Sequence, residues 1–232
     1  MRNTVAVFKN QFNEFMSDKE QMLMFIMFPG LAFFQVRIMD LDYGVYPYQI
    51  ATSIGGMFAT AIMIMLLPQL IAEHRENGSL RFLVMSGVKP ISYLLGIGGF
   101  FLIINMVVAG FFAWLGEFTG YALVNFIVIM LVGVICTILI GAIIGILSKN
   151  RQKALGLAMP VGFGIAFLPM FSAVLEPLQP VMDLLYVERI NNMMMEVHTG
   201  NFIGDLYVVL ANIAVLTIVF AVLFKMKGIK NN

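Results

Sequence analysis

Few side chains in this sequence could perform chemistry, and they are far apart. The single cysteine, Cys136, lies in an apolar run and offers neither a disulfide framework nor a cysteine metal site. His74 and His198 fall on opposite sides of the membrane in the topology derived below, so they cannot share a metal ion. An intramembrane enzyme needs nucleophiles, acids, bases or metal ligands at one depth, and no such convergence is indicated. We therefore expect neither catalysis nor metal binding by this chain.

The glycine patterns do not indicate a nucleotide site. Gly96, Gly98 and Gly99 open an apolar segment with no preceding strand, which is not the context of a dinucleotide fold. The phosphate-loop pattern G-x-x-x-x-G-K-[ST] does not occur, so any ATP would be bound by another polypeptide. A formal net charge of +1 with scattered basic residues gives no case for nucleic acid.

The composition indicates a membrane protein. Hydrophobic residues make up 60% of the 232 positions and charged residues only 12%, which is typical of polytopic membrane chains. We predict an all-α fold in which six transmembrane helices form a single domain over residues 1–232, because a helix needs roughly 20 apolar residues to cross. The first of the six apolar segments is short. They run from about Met22 to Val36, Tyr48 to Ala72, Tyr93 to Trp114, Tyr121 to Leu147, Ala154 to Leu175 and Leu206 to Phe224.

Amphipathic elements are predicted outside these spans. Residues 1–20 have apolar side chains at helical spacing opposite polar ones, which predicts an interfacial helix along the membrane. Its apolar positions are Val5, Phe8, Phe12, Phe15 and Met16. The segment 176–204 mixes acidic residues with Leu, Ile, Tyr and Met, and is predicted to form short helices on the outer surface.

The placement of Lys and Arg predicts the orientation. If the N-terminus is inside, only Arg37 and Arg189 of the 14 basic residues lie in outer segments, as the positive-inside rule requires. Both termini are therefore predicted to be cytoplasmic, and the segment 176–204 extracellular. The inner basic residues are Arg2, Lys9, Lys19, Arg75, Arg81, Lys89, Lys149, Arg151, Lys153, Lys225, Lys227 and Lys230.

The inner loop over residues 72–92 has the signals of a short helix. Gly78 belongs to a turn, Ser79 can act as an N-cap, and Pro90 prevents continuation. Such a helix is suited to the groove of a cytoplasmic partner. Its apolar face would consist of Leu80, Leu83 and Val84.

These features resemble the type-2 membrane-spanning subunits of ATP-binding-cassette transporters, over nearly the whole chain. In that family an amphipathic N-terminal helix precedes six spans, and the loop after span two reads close to E-x-x-E-x-G-[ST]-L-x-x-L-x-x-[ST]-x-[VI]. This sequence matches that pattern at Glu73, Glu76, Gly78, Ser79, Leu80, Leu83, Ser86 and Val88. A second segment, GAIIGILSKNRQKALGLAMPVGFGIAFLPMFS, resembles the family's fourth span, basic inner turn and fifth span.

The resemblance implies a bacterial plasma-membrane permease half that pairs with a second half, identical or related, and with separate cytoplasmic ATPase subunits. Those subunits would bind ATP and magnesium, and the inner loop would be the coupling helix. Spans one and five would meet at the dimer interface. The residues implied in coupling are Glu73, Glu76, Gly78, Ser79, Leu80, Leu83, Val84 and Ser86.

Aromatic and methionine side chains suggest a cargo pathway, because they adapt to amphipathic or apolar solutes. Such residues are equally able to pack helices or face lipid. With no charged residue inside the spans, the expected cargo is an amphipathic or hydrophobic peptide, toxin, drug or lipid-like molecule. In length and general sequence character, the chain is similar to the permeases that export phenol-soluble modulins. The candidate pathway residues are Phe33, Phe34, Phe163, Phe167, Met170 and Phe171.

Two other functions stay open at this point. A membrane scaffold or sensor could use the same inner helix to bind an ATPase without moving cargo, and an intramembrane enzyme is a further alternative. Two packing predictions are independent of function. Gly141 and Gly145 form a G-x-x-x-G pattern that favours an intramolecular helix contact, and Asn105 and Asn125 are expected to form interhelical hydrogen bonds.

Overall fold

A computed structural model of the chain describes residues 12, 15, 17–42, 46–78, 90–172, 177 and 179–227. All regular elements among these residues are helices, six of which are long and apolar enough to cross a membrane. The chain is an all-α polytopic membrane protein, as predicted. In chain order the helices are α1 Lys19–Asp42, α2 Pro47–Glu76, α3 Pro90–Leu115, α4 Gly120–Leu147, α5 Arg151–Ser172, α6 Gln179–Met182, α7 Tyr186–Met195 and α8 Ile203–Lys227; the six candidate spans are α1–α5 and α8.

The first span is longer than its charge-free run. Helix α1 continues past Val36 to Asp42, and the guanidinium of Arg37 lies 5.5 Å from the ring centroid of Phe33. The predicted interfacial helix falls mostly on residues outside those described. Near its end, the buried ring of Phe15 packs edge-on against Phe25 of α1.

Helix α2 is the central element of the bundle. It packs against α1, α3, α4, α5 and α7. Every residue from Phe58 to Ala72 is buried. A helix that is apolar around its whole circumference is expected to be surrounded by other helices, and α2 follows that rule.

Glycines allow α4 to lie against α2 at very short range. A Cβ atom added at Gly141 would be 2.5 Å from the carbonyl oxygen of Met63, and one at Gly145 would be 2.7 Å from the Cβ of Ile71. Small residues permit such close backbone approach in membrane bundles. The prediction that this G-x-x-x-G pattern forms an intramolecular contact is confirmed.

The peripheral spans are far less buried than α2. The spanning part of α2 is 72% buried, whereas those of α1, α5 and α8 are 24%, 22% and 11% buried. Lipid or another protein must therefore cover most of the apolar surface of these three helices.

The turn between α3 and α4 closes with a Schellman motif. The N–H of Phe118 donates to the carbonyl of Ala113 (3.1 Å), and that of Glu117 donates to Trp114 (3.2 Å). Glu117 occupies the left-handed position of this motif with φ of 55°, where glycine is usual. The preceding residue, Gly116, has no room for a side chain, because a Cβ there would lie 2.6 Å from the Phe118 ring.

Helices α6 and α7 confirm the short helices predicted between spans five and six. The hydroxyl of Tyr186 donates to the carbonyl of Thr60 (2.8 Å), and burial raises the pKa of Tyr186 well above its usual value. Arg189 donates to the Asp183 carbonyl (2.7 Å) and to Oδ1 of Asp205 (2.8 Å). These bonds tie α7 to the middle of α2 and to the first turn of α8. We term the end of the bundle where α2 begins at Pro47 and α8 begins at Ile203 the far end.

Asn105 and Asn125, the two asparagines predicted to bond between helices, have different hydrogen-bond partners. Nδ2 of Asn125 donates to the carbonyl of Val197 (2.9 Å), so its bond leaves α4 for the segment after α7. Nδ2 of Asn105 donates to Phe101 in its own helix, and its buried Oδ1 has no hydrogen-bond partner among the described residues. The predicted interhelical bond of Asn105 is therefore wrong, because its side chain turns back to the preceding turn of α3.

Candidate coupling site at the basic end

The basic end of the bundle, opposite the far end, carries Arg75, Lys149, Arg151 and Lys153. Helix α2 ends there in the turn that the sequence predicts. The N–H of Asn77 donates to the Glu73 carbonyl (2.9 Å), and Gly78 takes a φ of +72°.

The loop that follows this turn lies outside the described residues from 79 to 89. Of the predicted coupling residues, the structure therefore describes Glu73, Glu76 and Gly78, which stand where the loop leaves the bundle. The helix itself stays a prediction, as do the roles of Ser79, Leu80, Leu83, Val84 and Ser86.

Arg75 fixes the end of α2 to the end of α4. Its Nη1 donates to the carbonyl oxygens of Ile146 (2.8 Å) and Ser148 (3.1 Å). The last carbonyls of a helix have no intrahelical donor and carry partial negative charge, so a guanidinium suits them. This contact crosses 71 residues of sequence, and no local pattern around Arg75 indicated it.

The start of α5 is capped from two directions. Oδ1 of Asn150 accepts a hydrogen bond from the N–H of Lys153 (2.9 Å), the usual geometry of an asparagine N-cap. The N–H of Arg151 donates to Oε2 of Glu76 (3.2 Å). The positive end of α5 thus faces a carboxylate from the end of α2, which the helix dipole favours.

The side chain of Arg151 reaches two further carboxylates. Its Nη1 lies 3.3 Å from Oε2 of Glu73, and its Nη2 lies 3.5 Å from Oδ2 of Asp18. Asp18 precedes α1 and also accepts a bond from the N–H of Gln21 (3.2 Å). We term these four residues, Asp18, Glu73, Glu76 and Arg151, the Arg151 clasp.

The clasp joins α2, α5 and the residue that precedes α1 without dominating the stability of the fold. The side chains of Arg151, Glu73 and Asp18 are 38%, 40% and 22% exposed. Ion pairs at such partly exposed positions each contribute about 0.2–1 kcal/mol, because water screens them. Glu73 and Glu76 therefore hold helices of their own chain together, a role that their place in the loop motif did not indicate.

The candidate pathway residues lie on two separate helices. Helix α1 carries Phe33 and Phe34 and packs on α2 and α3, whereas α5 packs on α2, α4 and α7. All six side chains are exposed in the single chain, so they do not form an enclosed lining within it. Their exposed fractions are Phe33 40%, Phe34 63%, Phe163 50%, Phe167 40%, Met170 66% and Phe171 56%.

A cavity of about 270 Å³ lies between α2, α5 and α7. Of the candidate pathway residues, Met170 lines it, and the polar side chains Ser53, Thr60 and Asn191 face it from the other helices. Sequence reasoning missed this cavity because its walls come from three segments that only the fold brings together.

The two histidines lie at opposite ends of the bundle. The ring of His198 packs edge-on against Tyr48 at the far end (4.8 Å), while His74 adjoins Arg75 at the basic end. Across the described parts of the chain, no group of three His, Cys, Asp or Glu side chains could hold a metal ion.

Six apolar spans, a polar junction at one end and short helices between spans five and six define a polytopic helical membrane protein. The family model described as ABC-2 family transporter protein matches residues 4–226. The chain belongs to this family. No curated protein matches it closely enough to serve as a relative.

Membership makes the chain the membrane subunit of an ABC transporter, whose ATP is handled by a cytoplasmic ABC ATPase subunit. The narrower similarity to exporters of phenol-soluble modulins stays a prediction, since the family match does not address cargo.

Proposed function

We propose that this protein is the permease half of an ATP-driven exporter in a bacterial cell membrane, with both termini in the cytoplasm. The observation that supports it best is the junction at the basic end, where the helix leading into the coupling loop is bonded to α4 and α5 and, through Arg151, to Asp18. The excess of Lys and Arg at this end supports the orientation.

The coupling element is the loop after α2, with Leu80, Leu83 and Val84 as the apolar face that enters the ATPase. ATP binding would change the position of this face, and the bundle would respond by changing the relative positions of its spans. Glu73, Glu76 and Gly78 fix the point at which the loop leaves α2.

The cargo is amphipathic or hydrophobic, and a second permease half completes its pathway. Large apolar side chains on α1 and α5, including Phe34, Phe163 and Met170, are exposed in one chain. A second half, identical or related, that packs against these helices would enclose them. Surrounding lipid would cover the remaining apolar surface.

Substituting Leu83 tests the coupling function. The permease is purified with its ATPase in mild detergent, reconstituted in vesicles, and assayed for ATP hydrolysis and for transport of labelled amphipathic peptides. Leu83→Asp should abolish ATP-driven transport by placing a charge on the apolar face, while Leu83→Met should retain it. Permeases inserted with the ATPase inside the vesicle and those inserted with it outside are assayed separately, and the comparison gives the direction of transport.

Three results would count against the proposal. Unchanged transport by Leu83→Asp would remove the coupling role of this face. Persistent failure of an ATPase to co-purify with the wild-type chain would contradict the assembly. Cargo-stimulated ATP hydrolysis without net movement of cargo would instead indicate a scaffold or sensor.

A further inference from the structure

Helix α5 is packed mainly on one side. Its spanning part is 22% buried: a Cβ added at Gly162 would lie 2.7 Å from the side chain of Met65 on α2, whereas one added at Gly156 or Gly164 would have no neighbour within 4 Å. Its main packing partner is α2. A helix enclosed mainly on one side can shift relative to its neighbours more readily than α2, whose spanning part is 72% buried.

The Arg151 clasp lies between the end of α2, from which the chain continues into the loop, and the start of α5. Glu76 is two residues from Gly78, where the described part of α2 and its turn ends, and its carboxylate accepts the first N–H of α5 (3.2 Å). The side chain of Arg151 adds Glu73 on α2 and Asp18 before α1.

We propose that Arg151 is a positioning residue that transmits movement of the loop after α2 to α5 and α1. This inference rests on the proposed function, because it assumes that an ATPase moves that loop. Arg151 is suited to the role because its planar guanidinium reaches two carboxylates at once, whereas lysine presents a single point charge. Since the contacts of Arg151 are partly exposed, they can break and re-form without unfolding the bundle.

The direction of transmission follows from burial. Helix α2 is continuously buried from Phe58 to Ala72 and is bonded to the end of α4 through Arg75, so we expect these two helices to move together. A force that enters at the end of α2 therefore acts on the less enclosed α5 through Glu76 and Arg151. Because α5 also lines the cavity with Ala166, Pro169 and Met170, its displacement would change the shape of that cavity.

The test measures cargo moved per ATP hydrolysed in vesicles that contain the complete permease–ATPase complex. Arg151→Gln should lower this ratio roughly fivefold, the change produced by losing a coupling free energy of about 1 kcal/mol. Assembly with the ATPase and basal ATP hydrolysis should stay near wild-type values. Lys153→Gln is the matched control, because it removes the same charge from the same turn at an exposed side chain, and its ratio should be unchanged.

Arg151→Lys keeps the charge without the bidentate reach and should give an intermediate ratio. If Arg151→Gln does not assemble, this variant decides the question, because a ratio equal to wild type would overturn the proposal. A normal ratio in assembled Arg151→Gln would also overturn it, while leaving the exporter function intact. Absence of ATP-driven transport by the wild-type complex would instead contradict the proposed function itself.

A distance measurement separates transmission from a merely structural role. Spin labels at Leu157→Cys on α5 and Ile103→Cys on α3, both exposed positions, report the separation of these helices. ATP should change this distance in the otherwise wild-type complex, and Arg151→Gln should reduce the change. An ATP-dependent distance change of the same size in Arg151→Gln would show that α5 moves without the clasp.

Discussion

Arg75 illustrates how one side chain can hold two helix ends together. It satisfies carbonyl groups at Ile146 and Ser148 that α4 itself cannot bond, and Ser148 is buried. Neutralising this position would leave those carbonyls without a charged donor in a partly buried environment.

Arg75→Ala should therefore destabilise the protein by about 1.5–3 kcal/mol, the usual contribution of hydrogen bonds to a charged group. The midpoint of thermal unfolding in detergent measures this loss of stability. Arg75→Lys is the control, because it retains the positive charge but not the planar guanidinium. An unfolding midpoint in Arg75→Ala equal to that of wild type would show that water replaces the guanidinium without cost.

Glu117 shows a different residue-scale effect, which is backbone strain. The left-handed position that it occupies costs a non-glycine residue about 1–2 kcal/mol. Glu117→Gly should raise the unfolding midpoint, because glycine adopts this φ without steric conflict. Gly116→Ala, one residue earlier, should lower it, since its Cβ would overlap Phe118. If both substitutions shifted stability in the same direction, the steric explanation would fail.

At the scale of elements, the closest approach to α2 at any glycine is that of α4. The backbone carbonyl of Met63 cannot move away from a Cβ at Gly141 without displacing α2 itself. By contrast, Gly110 on α3 has open space around the equivalent position.

Gly141→Ala should destabilise the protein by about 1–3 kcal/mol through overpacking. Gly110→Ala adds the same methyl group to a span and should be neutral or slightly stabilising, because alanine favours helix. The difference between the two thermal midpoints in detergent is the measurement. Equal midpoints would mean that α4 tilts away from α2 at little cost.

The sequence predicts elements of this kind well and their junctions poorly. Hydropathy identifies six spans because crossing a bilayer requires long apolar runs, and the spacing of Gly141 and Gly145 indicates a close helix contact. The Arg151 clasp could not be foreseen, because Asp18, Glu73 and Arg151 are 55 to 133 residues apart and their types are ordinary for span ends. Only packing of α1, α2 and α5 brings these charges together.

At the scale of the whole molecule, the burial of the spans is strongly uneven. The spanning part of α2 is mostly buried, while α1, α5 and α8 present most of their surface outward. The same uneven burial explains why the sequence identified the candidate pathway residues as large apolar side chains but could not show them enclosing a pathway. Their neighbours in the proposed assembly belong to a second chain.

The length of α2 is close to the full thickness of a bilayer. With 30 residues, α2 is about 45 Å long, while the hydrocarbon core of a bilayer is about 30 Å thick and its headgroup layers bring it to about 40–45 Å. An untilted α2 centred in the bilayer would carry the turn at Asn77 and Gly78 to the outer limit of the headgroup layer, and a tilted one would keep it within that layer. In either case a water-soluble partner that docks at this turn would do so at the membrane surface, beside the lipid headgroups.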